Sequence, residues 1–83
     1  KVVIDMDAVP HIADGADVMA PGVTAFDERI ERGEVIVVTD ETHGKPLAIG
    51  EALIDGFGFH QTEKGKIVKT IHYVGDTVWN LDG

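Results

Sequence analysis

The sequence predicts a mainly β fold: a small pseudo-barrel of about six short strands with two short helices at its ends. Three observations predict it. Apolar and β-branched residues come in brief runs, such as Val2-Val3-Ile4 and Val35-Ile36-Val37-Val38, bounded by turn residues. A glycine, Gly50, interrupts the run over 46–54, where a bulge or sharp bend would curl a sheet. The length, 83 residues, suits a single domain over 1–83 with a thin core.

The elements follow in order. Val2-Val3-Ile4 is a first strand. Asp7 caps a short helix over 8–13, with Pro10 in the first turn, where amides have no helical partner, and Gly15 closes it. Val18-Met19 is extended, and Ala20-Pro21-Gly22 is a turn. Thr24 caps a second short helix in which Phe26 and Ile30 share a face, and Gly33 ends it. The unbroken apolar run over 35–38 reads as a strand buried on both faces. A polar turn over 40–45 leads to the strand bent at Gly50, and 56–65 is a glycine-rich loop whose Phe57 and Phe59 tuck back onto the barrel. Over 66–74, Ile67, Lys69, Ile71 and Tyr73 share one face of a strand, and Val68, Thr70, His72 and Val74 the other. A corner at Gly75-Asp76 precedes a last strand over 77–81, and Tyr73 and Trp79 are read as core aromatics rather than as stacking platforms.

Composition narrows the function. The formal net charge is −8, which excludes a protein whose whole surface attracts phosphate. A local basic patch remains open, because Lys64, Lys66 and Lys69 fall close together, whereas most of the acids lie before them. There is no cysteine, so disulfides and thiolate metal sites are excluded. His11, His43, His60 and His72 form no metal-binding spacing, and no cofactor or metal is expected. A threonine, an acid and a histidine meet in the turn over 39–44, but proximity in a turn sets up no base–nucleophile geometry, so the chain is expected not to be an enzyme. No apolar run approaches a membrane span and no signal peptide opens the chain, which points to the cytoplasm. The chain opens on Lys1 and directly on a strand, as the C-terminal part of a longer protein would.

Four segments, in order, resemble the PUA domain, the RNA-binding module named from pseudouridine synthases and archaeosine transglycosylases. The first is Gly15-Ala16-Asp17-Val18-Met19-Ala20-Pro21-Gly22-Val23, similar to the family's loop after the first helix and the strand that follows. Next come Gly33-Glu34-Val35-Ile36-Val37-Val38 and Gly44-Lys45-Pro46-Leu47-Ala48-Ile49-Gly50-Glu51-Ala52, similar to its central strands. The tail over 64–81 resembles the archaeal and eukaryotic subgroup that includes ligatin and the translation re-initiation factor partnering density-regulated protein.

The resemblance implies a module that binds structured RNA, a tRNA acceptor end or ribosomal RNA, in translation or RNA modification. It implies contacts by Gly15, Ala16, Asp17, Val18, Met19 and Pro21, with Val78 and Asn80 on the last strand. Glycine lets a backbone approach a sugar-phosphate chain and frees amides to donate to phosphate. Met19 and Pro21 offer packing for a base or ribose. Asp14 and Asp17 flank Gly15 where a phosphate would favour cations. Asp17 is therefore expected to face a base edge or a ribose hydroxyl, or else Lys64, Lys66 and Lys69 supply the positive charge. The acidic surface keeps an alternative open: a protein-interaction module that docks on a neighbouring domain or translation factor.

Overall fold

The computed structural model describes residues 1–74. The strand expected over 77–81, with Val78, Trp79 and Asn80, lies outside the described residues. In chain order the elements are β1 (Val2–Ile4), α1 (Val9–Ala13), β2 (Val18–Met19), a 3-10 turn (Ala20–Gly22), β3 (Val23–Phe26), β4 (Val35–Asp40), β5 (Pro46–Ala52), α2 (Gly56–Phe59) and β6 (Lys66–Tyr73).

The strands hydrogen-bond in the order β2-β6-β5-β4-β1-β3. The outermost two, β2 and β3, are joined by only Ala20, Pro21 and Gly22. Five inter-strand steps across a flat sheet would span about 24 Å, whereas the backbone from Met19 to Val23 reaches about 14 Å at most. The sheet must roll up, and the result is the nearly closed, mainly β barrel that the sequence predicts.

Rolling is accommodated by register slips between Val3 and Ile4, Val18 and Met19, Val38 and Thr39, and Ile49 and Gly50. The last lies at the glycine expected to bend the strand. A Cβ on Gly50 would sit 2.5 Å from Val68 Cγ1 and 2.8 Å from the Lys69 carbonyl oxygen, so β5 and β6 approach this closely only because that residue has no side chain. Val2, Ile4, Val18, Val38 and Val68 fill the centre of the barrel. Ile12 of α1 is buried with them, and Phe59 of α2 packs on Phe26, ring centroids 4.8 Å apart.

Four expectations are corrected. Residues 23–26 are a strand rather than part of a helix capped by Thr24. They pair antiparallel with β1, Val2 opposite Phe26 and Val3 opposite Ala25, and the Thr24 hydroxyl donates to the Val3 carbonyl. The pairing needs of β1 outweigh the helical spacing of Phe26 and Ile30. Second, Asp5 rather than Asp7 serves the start of α1: its Oδ1 accepts the Ala8 amide at 2.9 Å. Third, 35–38 is not buried on both faces. Val35 and Val37 are exposed while Ile36 and Val38 are buried, because only one face of β4 meets the core. Fourth, the expected loop over 56–65 opens with α2, and of its two phenylalanines only Phe59 turns inward, leaving Phe57 71% exposed.

The turn after β4 is organised by Asp40. Its carboxylate accepts the amides of Thr42, His43 and Lys45, so the side chain that sequence proximity placed beside Thr42 and His43 shapes a turn. These bonds, the one from His43 foremost, hold its carboxyl below the ordinary value of 3.8 against the opposing effect of burial. A group whose folded pKa is depressed stabilises the fold above its unfolded pKa, and that contribution is lost as pH falls through the folded value. Urea unfolding between pH 7 and pH 2 is therefore expected to show an acid limb below about pH 4, flattened in Asp40→Asn. Next door, the Thr39 hydroxyl is buried with no hydrogen-bond partner among the described residues. Thr39→Val keeps the shape and removes the unpaired group, so it should stabilise the fold by about 1 kcal/mol, read as a higher urea midpoint with an unchanged m-value.

Candidate functional site

The segment between α1 and β2 is built by helix termination. Asp14 follows the last helical residue, and Gly15 then takes φ +103°, a left-handed conformation that disfavours any Cβ. The Gly15 amide donates to the Ile12 carbonyl at 3.0 Å and the Ala16 amide to the His11 carbonyl at 2.9 Å. This pair of reversed bonds caps the helix C-terminus. It also corrects the expectation of free donors for phosphate, because both amides are turned inward. Beneath Gly15 lies the Tyr73 ring, whose Cε1 would be 2.9 Å from a Cβ placed there. Tyr73 is thus half-buried against the core and under the loop, as a core aromatic was expected to be.

Asp17 and Thr70 stitch this loop to β6. Asp17 Oδ1 accepts the Thr70 amide at 2.9 Å, Oδ2 lies 3.2 Å from Lys66 Nζ, and the Thr70 hydroxyl donates to the Ala16 carbonyl at 2.8 Å. The Thr70 amide first, then the charges of Lys66 and Lys69, lower the Asp17 carboxyl below its usual range. Both Asp17 oxygens are therefore engaged within the protein and face β6 rather than a base edge. Lys66 is engaged with them, whereas exposed Lys64 and Lys69 have no ion-pair partner among the described residues. Val18 is 1% exposed, so its side chain belongs to the core and offers nothing to a ligand from outside. Met19, 46% exposed, and Pro21 do face outward.

The two groups singled out from sequence meet across the β2–β6 ladder. Met19 is opposite Lys66, and the Ala20 amide donates to the Gly65 carbonyl at 2.9 Å, which places the corner carrying Lys64 beside the Met19–Pro21 strip. On the other side of that strip a cavity of about 430 Å³ opens between the start of α1 and β2. Ala8, Ile12, Ala16, Met19 and Pro21 give it apolar walls, Asp5, Asp7, Asp17 and His11 add polar groups, and among the described residues no lysine or arginine lines it. Asp5, Asp7, Ala8 and His11 were not expected at the site. Their only sequence signal is the pair of carboxylates two residues apart, and it becomes meaningful once α1 folds back over β2.

Comparison with known proteins places this arrangement. The PUA domain family matches residues 1–74. The chain belongs to the PUA-domain family. An uncharacterized Methanocaldococcus jannaschii protein is 46% identical over 82 residues, covering 99% of this chain and 51% of that protein. Translation machinery-associated protein 20 of Saccharomyces cerevisiae is 31% identical over 86 residues, covering 96% of this chain and 48% of that protein. A hypothetical protein of Pyrococcus horikoshii, known from a crystal structure, superposes with a TM-score of 0.93 at 48% identity, over 99% of this chain and 49% of its own. The PUA domain described here thus spans about half the length of these relatives, which are of the archaeal and eukaryotic kind to which the tail segment pointed.

Gly15 separates two costs. Gly15→Ala adds a strained φ and a clash with Tyr73, whereas Gly33, at φ +89°, has open space around a Cβ. Gly33→Ala is expected to cost about 1 kcal/mol for the backbone alone. Gly15→Ala should cost more by thermal melting, and Tyr73→Leu should bring the two closer together.

Proposed function

We propose that this PUA domain is a non-catalytic RNA-binding module that recognises structured RNA, a tRNA acceptor end or ribosomal RNA, in cytoplasmic translation or RNA modification. The observation that carries the reading is the apolar-walled cavity beside the exposed Met19–Pro21 strip, with Lys64 at the entry corner of β6 and Lys69 near enough to act on the charge of Asp17, which lines the cavity. RNA is read largely by shape, 2′-hydroxyls and splayed bases, so such a surface needs few cations. Family membership and the translation-associated name of the yeast relative support the same reading.

In this reading Met19 and Pro21 pack on a base or ribose, and Lys64 and Lys69 meet phosphates. Gly15, Ala16, Asp17, Val18 and Lys66 hold the surface in shape. Val78 and Asn80 keep the contact role that the resemblance implies.

Titrating the chain with tRNA at several salt concentrations is expected to give a shallow slope of log Kobs against log salt, about −1 to −2, for two phosphate contacts. Lys64→Ala and Lys69→Ala should each reduce that slope by about one unit. Lys66→Ala should change it less, because its charge is already spent on Asp17. Equal slopes for all three variants and the parent would count against the reading.

A second reading, docking on a neighbouring domain or translation factor, is favoured by Val35, 63% exposed, together with Val37, Ile71 and Phe57 on the outer surface. A stable protein partner recovered from RNase-treated extract, lost in Val35→Asp, with no RNA shift at any salt, would support it over the first.

A further inference from the structure

We propose that exposed Phe57, on the acidic segment against which α2 is held, docks an arginine-rich segment of a partner protein, with the Phe57 ring as the platform on which an arginine stacks. This rests on the docking reading and gives its partner a chemistry. It is independent of whether the cavity beside Met19 holds RNA.

Among the described residues, Phe57 and Val35 are the two most exposed large apolar side chains, at 71% and 63%. The fold brings their segments to one end of the barrel. The Gly56 amide donates to the Ile30 carbonyl at 2.7 Å, and Asp55 Oδ1 accepts the Arg32 amide at 2.8 Å. The Gly33 amide donates to the Ala52 carbonyl at 2.7 Å. His60 Nε2 lies 2.9 Å from Glu28 Oε1, and a Cβ on Gly56 would sit 2.5 Å from the Glu28 carbonyl oxygen. These contacts clamp α2 on residues 27–33, although two of its four residues are glycines. A ring presented from a clamped helix loses little freedom when a partner covers it. The residues before and after Phe57 are both glycine, so neither has a side chain to shield the ring.

Charge decides the partner. Residues 27–34, with Glu51 and Asp55, hold six carboxylates and two guanidiniums, and so carry half of the chain's net charge of −8. Lys1 neighbours Asp27, and the surplus of carboxylates persists. Asp27 is paired with Arg29 and Glu28 with His60. Glu34 and Asp55 each give one oxygen to a backbone amide and keep the other. Glu31 is exposed with no ion-pair partner among the described residues, as is Glu51, which lies opposite Lys69. A phosphate chain is repelled here, and so is a second copy of the same surface. A cationic protein segment is attracted. Lysine would answer the charge alone. Arginine adds a planar guanidinium that stacks on an aromatic face and a fork that meets a carboxylate with two bonds. An aromatic centre within a polar rim is also where interface energy concentrates. Arg32, exposed and without an ion-pair partner among the described residues, competes with an incoming cation.

The experiment titrates the full chain with fluorescent hexa-arginine and hexa-lysine peptides at low salt. The expected result is that hexa-arginine binds at least about fivefold tighter, the fold-change that one stacked guanidinium supplies. Phe57→Leu keeps an apolar group, removes the aromatic face and should cut that advantage below about twofold with unchanged thermal melting. Glu31→Gln should weaken both peptides about twofold, and Arg32→Ala should tighten both. Glu41→Gln, beyond the other end of β4, should alter neither. Equal binding of the two peptides overturns the inference. So does an arginine advantage that Phe57→Leu leaves intact, or equal weakening by Glu31→Gln and Glu41→Gln. If it is overturned while Val35→Asp still loses a partner recovered from RNase-treated extract, the docking reading stands without it. An arginine advantage that depends on Phe57 supports the inference even where no stable partner is recovered, and the docking reading, as a stable complex, then falls.

Discussion

Three residues, Ala20, Pro21 and Gly22, connect the two strands that lie at opposite ends of the sheet. That short tether cannot cross a flat six-stranded sheet, so it closes the barrel and sets where the seam falls. The register slips of β1, β2, β4 and β5 relieve the resulting curvature. The candidate site lies at the same seam. The strip that closes the barrel is the strip that forms one wall of the cavity, so fold closure and site formation are one event.

Charge is distributed with the same economy. A chain of net charge −8 places most of its acids away from the lysines of β6. Asp17, set against β6, is committed to holding the α1–β2 loop and to pairing with Lys66, while Glu51 lies opposite Lys69 across the β5–β6 ladder. Close to β6, exposed Lys64 and Lys69 keep their charge without an ion-pair partner among the described residues, while the cavity is lined by apolar groups, carboxylates and His11. Such a surface exerts little long-range attraction on a phosphate chain.

The loop around Gly15 shows how the right residue can be read with an incomplete reason. Its left-handed φ serves the closing of α1, and the close approach it permits is that of Tyr73, from within the protein. The amides that appear free when only the sequence is considered complete the helix end. Asp17 follows the same pattern: its position next to the glycine was legible, and its partners on β6, fifty-three residues away in the case of Thr70, were not.

What the sequence determined by itself was the class of fold, the short helix near 8–13, the strands near 2–4, 18–19, 35–38, 46–54 and 66–74 to within two residues at their ends, the bend at Gly50, and the family, because period-two patterning, β-branched runs and glycine positions act over short stretches of chain. Only the tertiary structure decided the remainder. Residues 23–26 became a strand because β1 needed a partner, and Gly56–Phe59 became a helix, despite two glycines, because Phe59 had a place against Phe26 and the backbone of Glu28 left no room for a Cβ at Gly56. The pairing of Asp17 with Thr70 and Lys66, and the meeting of Asp5, Asp7 and His11 with Met19 and Pro21, belong to the same class. Each depends on segments distant in the chain, and local propensity carries no record of which surfaces closure will bring together.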